Sequence, residues 1–172
     1  MESLVDSIIK LFGSVTAMKF GKELIVFIIS ILPILELRGG LIAASLLGVN
    51  PVSGYIVSII GNILPVPFIL LFINKILEWM RESKIKFFNR IAGWLNKKAH
   101  KHRKSIEKYG YLGLVLFVGI PLPGTGAWTG SALAVLLHLD KKKSFIYILL
   151  GVILASIIMS IISYGILGNI IK

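Results

Sequence analysis

Apolar residues fill four long runs of the chain, and two of those runs are interrupted where a plain membrane helix would not be. Val52–Phe72 and Phe145–Ile166 read as continuous helices, long enough at about 1.5 Å per residue to cross roughly 30 Å of hydrocarbon. Leu24–Leu47 and Tyr111–Leu139 carry prolines and glycines in mid-run. In the first, Pro33 breaks the helical hydrogen-bond ladder just ahead of Glu36 and Arg38, and Gly39 and Gly40 free the backbone just behind them. In the second, residues 119–130 hold Pro121, Pro123, Gly124, Gly126 and Gly130 together with Thr125, Trp128 and Thr129, and no single helix accommodates that density of breakers. The arm ahead of it, Tyr111–Ile120, covers only about 15 Å, half the hydrocarbon thickness. The pattern therefore predicts two re-entrant helical hairpins, each followed by one spanning helix; the alternative, in which both interrupted runs span fully, leaves Lys141-Lys142-Lys143 outside, against the positive-inside rule.

Two segments have amphipathic rather than continuous apolar patterning. Residues 1–22 place Leu4, Ile8, Leu11, Phe12 and Val15 on one stripe, which predicts an interfacial helix. Residues 74–109 interleave Leu77, Phe88, Ile91 and Leu95 with basic residues, which predicts a basic amphipathic helix.

Sliding the chain by ninety residues aligns its halves without a gap. Leu32-Pro33 falls on Leu122-Pro123, Gly40 on Gly130, Ala44 on Ala134, and Gly61 on Gly151. Twelve of forty-one positions from Leu24 to Leu64 are identical, and the Pro and Gly matches lift this above what biased composition yields. Weak internal symmetry of this kind marks transporter repeats. If each hairpin returns to its starting side, each repeat crosses once and the two are inverted. The expected fold is thus all-α integral membrane in one domain: an N-terminal helix over 1–22, repeat 1 over 23–73, the basic segment over 74–109 and repeat 2 over 110–168.

Composition agrees. The 172 residues are 56% hydrophobic with a mean hydropathy of +0.88, too apolar for a soluble domain of this size. The net charge is +11, and eleven of the nineteen Lys and Arg lie between Lys75 and Lys108. Such a block reads as a cytoplasmic flank in contact with anionic lipid head groups, not as a nucleic-acid surface. The expected location is the plasma (inner) membrane of a prokaryote, multi-pass, with a homo-oligomer left open. The chain lacks cysteine, so thiolate metal sites and redox thiols are excluded. His100 and His102 sit two apart, on different helix faces, with no acid nearby, so no metal or cofactor is expected. Scattered histidines and the want of a paired catalytic group also argue against a membrane enzyme.

The candidate chemistry lies in the interrupted runs. A charge at bilayer depth costs about 2.5–3.5 kcal/mol on insertion scales, so Glu36 and Arg38 are expected to be paired, wetted or used. Arg38 suits an anionic or phosphate group, and Glu36 is the natural titrating group. Two residues apart on a helix, they meet only if the segment is unwound; otherwise each has its own partner. Thr125, Trp128 and Thr129 offer hydroxyls and an indole N–H from the second tip. Asn62, a buried amide, is either interhelical glue or part of the site.

The motifs Leu32-Pro-x-x-Glu36-Leu-Arg38-Gly, Gly61-Asn-x-Leu-Pro-Val-Pro-Phe68 and Pro121-Leu-Pro-Gly-Thr-Gly-Ala-Trp-Thr-Gly130 resemble the small multidrug export protein family. That family is similar in layout to the DedA group, implicated in lipid-phosphate translocation. The resemblance implies paired re-entrant hairpins and a proton-linked transporter or lipid flippase with an anionic or lipid-phosphate substrate. The alternatives are a small-molecule exporter and a non-transporting scaffold or channel.

Overall fold

A computed structural model describes residue 13 and residues 20–82, 86–122 and 124–167, and all regular structure among them is helical. The order is α1 (Gly21–Ile31), α2 (Glu36–Leu46), α3 (Pro51–Ile63), α4 (Val66–Glu82), α5 (Lys86–Tyr109), α6 (Tyr111–Gly119), α7 (Ala127–Leu136) and α8 (Lys141–Ser160), and a π-helical turn over Ile161–Leu167 extends α8. Pro123 and nearly all of the helix expected over residues 1–22 lie outside the described residues.

Each interrupted run becomes two short helices, broken at Leu32–Leu35 and at residues 120–126. At both breaks the chain doubles back. Gly40 lies directly under the Ser30 hydroxyl, and a Cβ on Gly130 would stand 2.5 Å from Val118 Cγ2. Gly39 and Gly40 do not open the backbone as the sequence suggested; both sit inside α2. Two glycines weaken a helix by roughly 1 kcal/mol each, and here the missing side chains let α1 close on α2.

The second arms end alike. Gly48 and His138 both have positive φ (65° and 57°). The Gly48 N–H donates to the Ser45 carbonyl (3.2 Å) and the Val49 N–H to Ala44 (2.9 Å); His138 and Leu139 repeat this on Val135 (3.0 Å) and Ala134 (2.9 Å). This is the Schellman closure, which satisfies carbonyls that the helix end leaves bare. Asn50 Oδ1 then accepts from the Val52 N–H (2.9 Å) to cap α3, and Asp140 Oδ1 from the Lys143 N–H (2.8 Å) to cap α8. Apart from the capped N–H groups, Val52 and Lys143, these pairs are ninety apart. The first arms are not: Gly61 packs on Ser30 and the Phe27 carbonyl, Gly151 on Val118 and the Val115 carbonyl. Ser30 thus answers to Val118, eighty-eight positions on, and the two-residue difference is absorbed by the longer second break. The ungapped alignment is correct for the second arms and long helices only.

α3 and α4 meet at Leu64-Pro65 and together give one run, Pro51–Trp79; α8 and its π turn give another, Lys141–Gly165. Both are long and apolar enough to cross a membrane, with mean hydropathies of 2.5 and 2.8. The composition change at Asn74 is not a helix boundary, because α4 continues to Glu82. α8 ties the hairpins together. Near its start Tyr111 stacks on Tyr147 (5.0 Å between rings) and accepts from the Asp140 N–H (3.2 Å). Near its end the Ser45 hydroxyl donates to the Ser163 carbonyl (2.8 Å) and the Tyr164 hydroxyl to the Val49 carbonyl (3.4 Å). The hairpin bases therefore attach to opposite ends of one helix, about 30 Å apart at 1.5 Å per residue. α5 packs on α4, α6 and α7, burying Ala92 and Leu95 in the common core with Leu37, Val66, Leu114, Leu133 and Ile148.

Candidate functional site at the meeting of the hairpin tips

Glu36 opens α2 with φ of 49°, a left-handed conformation that ordinary side chains avoid, and it is only 5% exposed. Its carboxylate accepts from the N–H groups of Ala127 (3.2 Å) and Trp128 (3.1 Å), the first two residues of α7 in the other hairpin. A helix start leaves such N–H groups without intrahelical partners and carries partial positive charge, so a carboxylate there satisfies both. Gly126 admits it. Its φ of 135° and ψ of −169° belong to glycine alone, and a Cβ there would overlap the Glu36 carboxylate.

Arg38 uses the other half of the second break. Its guanidinium donates to the Leu122 carbonyl, the Thr125 carbonyl (2.7 Å) and Thr125 Oγ1 (2.8 Å). A chain leaving a helix strands several carbonyls, and the planar fork of arginine reaches them together. The Thr125 hydroxyl also lies 3.0 Å from the Ile120 carbonyl and 2.8 Å from that of Leu122, holding the break in shape. In the reverse direction, Trp128 Nε1 donates to the Ile31 carbonyl (3.0 Å), the last of α1. Glu36 and Arg38 thus have separate partners, both on the second hairpin, and Trp128 serves as a donor.

Lys98 of α5 joins from outside either hairpin. Its ammonium donates to the Gly124 carbonyl and sits 4.5 Å from the Trp94 ring centre. Partial burial holds it below the ordinary lysine range, helped by the charges of Lys101 and Arg38. Sequence reasoning missed this residue, since it lay in a run read as a basic flank on anionic lipid; the one available signal was Trp94 four positions earlier, on the same helix face.

The structure brings Glu36, Arg38, Thr125 and Trp128 together. Thr129 is buried on α7. Asn62 is buried in α3, and its Oδ1 has no hydrogen-bond partner among the described residues. An open apolar groove of about 390 Å³ runs from Ile31 and Trp128 past Pro65 and along Phe68, Phe72 and Ile76 of α4. Among the described residues no three His, Cys, Asp or Glu gather to hold a metal.

The fold and the site define a helical membrane protein in which Glu36 and Arg38 join two broken helix pairs. The chain belongs to the family described as "Putative small multi-drug export protein", which matches residues 36–158, from Glu36 itself into α8. Searches of curated proteins and of solved structures found no match. The wider DedA likeness has no counterpart in these comparisons. An export family is one of transporters rather than enzymes.

Proposed function

We propose that the protein is a proton-linked secondary transporter that exports an amphiphile past a midplane site between two inverted, re-entrant hairpins. The attachment of the hairpin bases to opposite ends of α8, with the tips in contact between them, supports that topology. The observation that carries the function is the clamp across the tips: Glu36 on the start of α7, Arg38 on the carbonyls of the second break. A charge-assisted hydrogen bond is about twice as strong as a neutral one, so a proton on Glu36 loosens its hold on α7. Loss of the carboxylate charge also removes its attraction to the helix start. Protonation is therefore the step that lets the tips part.

The substrate reading follows from what surrounds the tip. Arg38 and Lys98 leave it net positive once Glu36 is neutral, which suits an anionic head group, lipid phosphate included. The groove beside Trp128 offers the apolar half of the same molecule a path. That groove equally favours the small-molecule export in the family's description, with Arg38 then acting only in the clamp. The basic face of α5 suits anionic lipid at the cytoplasmic side of a prokaryotic inner membrane.

The test is proton movement into proteoliposomes carrying an internal pH dye, with an anionic amphiphile as substrate. Glu36→Gln keeps the size of the side chain and should slow substrate-stimulated proton movement about tenfold or more, equivalent to losing about 1.4 kcal/mol of coupling. Wild-type rates in this variant would overturn the gate.

A further inference from the structure

α2 and α3 run antiparallel in close register. A Cβ on Gly40 would stand 2.9 Å from Ser58 Oγ, and one on Gly54 would stand 2.8 Å from Ala44 Cβ. One helical turn nearer the tip, the same register sets Asn62 of α3 level with Glu36 of α2. Ser58 and Asn62 are 0% and 2% exposed, and Ser58 Oγ and Asn62 Oδ1 have no hydrogen-bond partner among the described residues. Buried polar atoms are almost always satisfied, so two orphans four residues apart on one helix face demand a reason. Ser30, also fully buried, brings its hydroxyl to the same point over Gly40 while donating to the Val26 carbonyl (2.7 Å). Toward the base, the Tyr164 hydroxyl stands over Gly54. Polar groups thus stand level with successive turns of α3 from Glu36 to the hairpin base, each turn rising about 5.4 Å, a step that one bridging water can span.

The second repeat shows that packing does not require this. The positions answering to Ser30, Ser58 and Asn62 are Val118, Ile148 and Val152, all buried and apolar. At those three levels the seam is greasy there and polar here; at the base, where Ser144 answers to Gly54, the second repeat also buries a hydroxyl.

We propose that the seam of Asn62, Ser58, Ser30 and Tyr164 is a water-bridged proton path, so that Glu36 exchanges its proton through the first repeat alone. The inference rests on the proton-linked reading above. A hydroxyl on the path accepts a proton from one neighbour as it releases its own to the next. The Asn62 carbonyl oxygen orients the water that faces the carboxylate, and no proton is gained or lost along the way. The charged groups facing Glu36 are Arg38 of its own helix and Lys98 of α5, and neither belongs to the seam.

The full-length chain is reconstituted with an internal pH dye, and wild type is compared with Ser58→Ala/Asn62→Leu, Ser58→Thr, Tyr164→Phe and Glu36→Gln. The double variant should slow proton movement about tenfold or more while melting no lower than wild type, and Ser58→Thr, which keeps the hydroxyl, should stay near wild type. Wild-type proton movement in the double variant, with Glu36→Gln slow, overturns the path and leaves the gate standing. Wild-type movement in Glu36→Gln overturns the gate and the path with it. Should the double variant fail to fold, Tyr164→Phe decides: slowed movement supports the path, unchanged movement overturns it.

Discussion

The two hairpins are the same backbone carrying opposite chemistry. Both double back onto a glycine, Gly40 and Gly130. Both end their second arm with a left-handed residue, Gly48 and His138, and both start the next helix on a side-chain cap, Asn50 and Asp140. The first then presents a carboxylate and a guanidinium, whereas the second presents bare N–H groups and stranded carbonyls. The difference is complementary. A break in a helix strands backbone groups in any case, and the charges of one hairpin satisfy the stranded N–H and C=O groups of the other. Charging both tips would double a cost of about 2.5–3.5 kcal/mol per group with nothing left to satisfy.

The sharpest way to break this complementarity is at Gly126. Gly126→Ala adds a Cβ where the Glu36 carboxylate lies and forces alanine into a glycine-only conformation. Strain of about 1–3 kcal/mol combines with the loss of charged hydrogen bonds worth about 1.5–3 kcal/mol, for roughly 3 kcal/mol in all. Thermal unfolding in detergent should show it. The residue one position before α2 is Leu35, which is half-exposed, so Leu35→Ala should cost well under half as much. Equal losses at the two positions would show that the tips are not specialised.

Much of this was legible in the sequence. Pro33, and Pro121 with Gly124 and Gly126 after it, located both breaks, because proline and glycine act on the backbone locally. The ninety-residue period aligned the second arms and the long helices, while the duplicated caps between them went unread because Gly48 and His138, or Asn50 and Asp140, are not identical. The partners of Glu36 and Arg38 were not legible. They are N–H and C=O groups, which every residue has, so no side-chain pattern marks them. Gly39 and Gly40 misled because glycine serves a break and a close helix contact equally well, and only the position of Ser30 tells which. Lys98 was hidden among other lysines whose sequence context is alike. The two-residue shift in the first arms was masked by chance identity at Leu32-Pro33 and Leu122-Pro123.

A smaller effect tests the other half of the clamp. Arg38→Lys keeps the charge but cannot reach Leu122 and both oxygens of Thr125 at once, so about 1–2 kcal/mol of stability should go. Thr125→Ala removes one of those acceptors. Because both substitutions strike the same contact, unfolding of the double variant should fall short of the sum of the singles by about 0.5 kcal/mol or more. Additive losses would place the Arg38 contribution elsewhere.

The smallest effect concerns the one place where the shared backbone is filled unequally. Gly48 and His138 occupy the same left-handed position, with φ of 65° and 57°. A left-handed residue with a Cβ is strained by about 1–2 kcal/mol, while glycine there loses part of that advantage to its greater freedom in the unfolded chain. Exchange should therefore move stability by only about 0.5 kcal/mol, upward for His138→Gly and downward for Gly48→His. Nothing lies within 4 Å of where a Cβ on Gly48 would sit, so backbone strain alone sets the sign there. Melting curves that shift in opposite directions would show that the two arms end under the same backbone rule. A loss in His138→Gly would mean that the imidazole does work at the base of the second hairpin that no glycine can do.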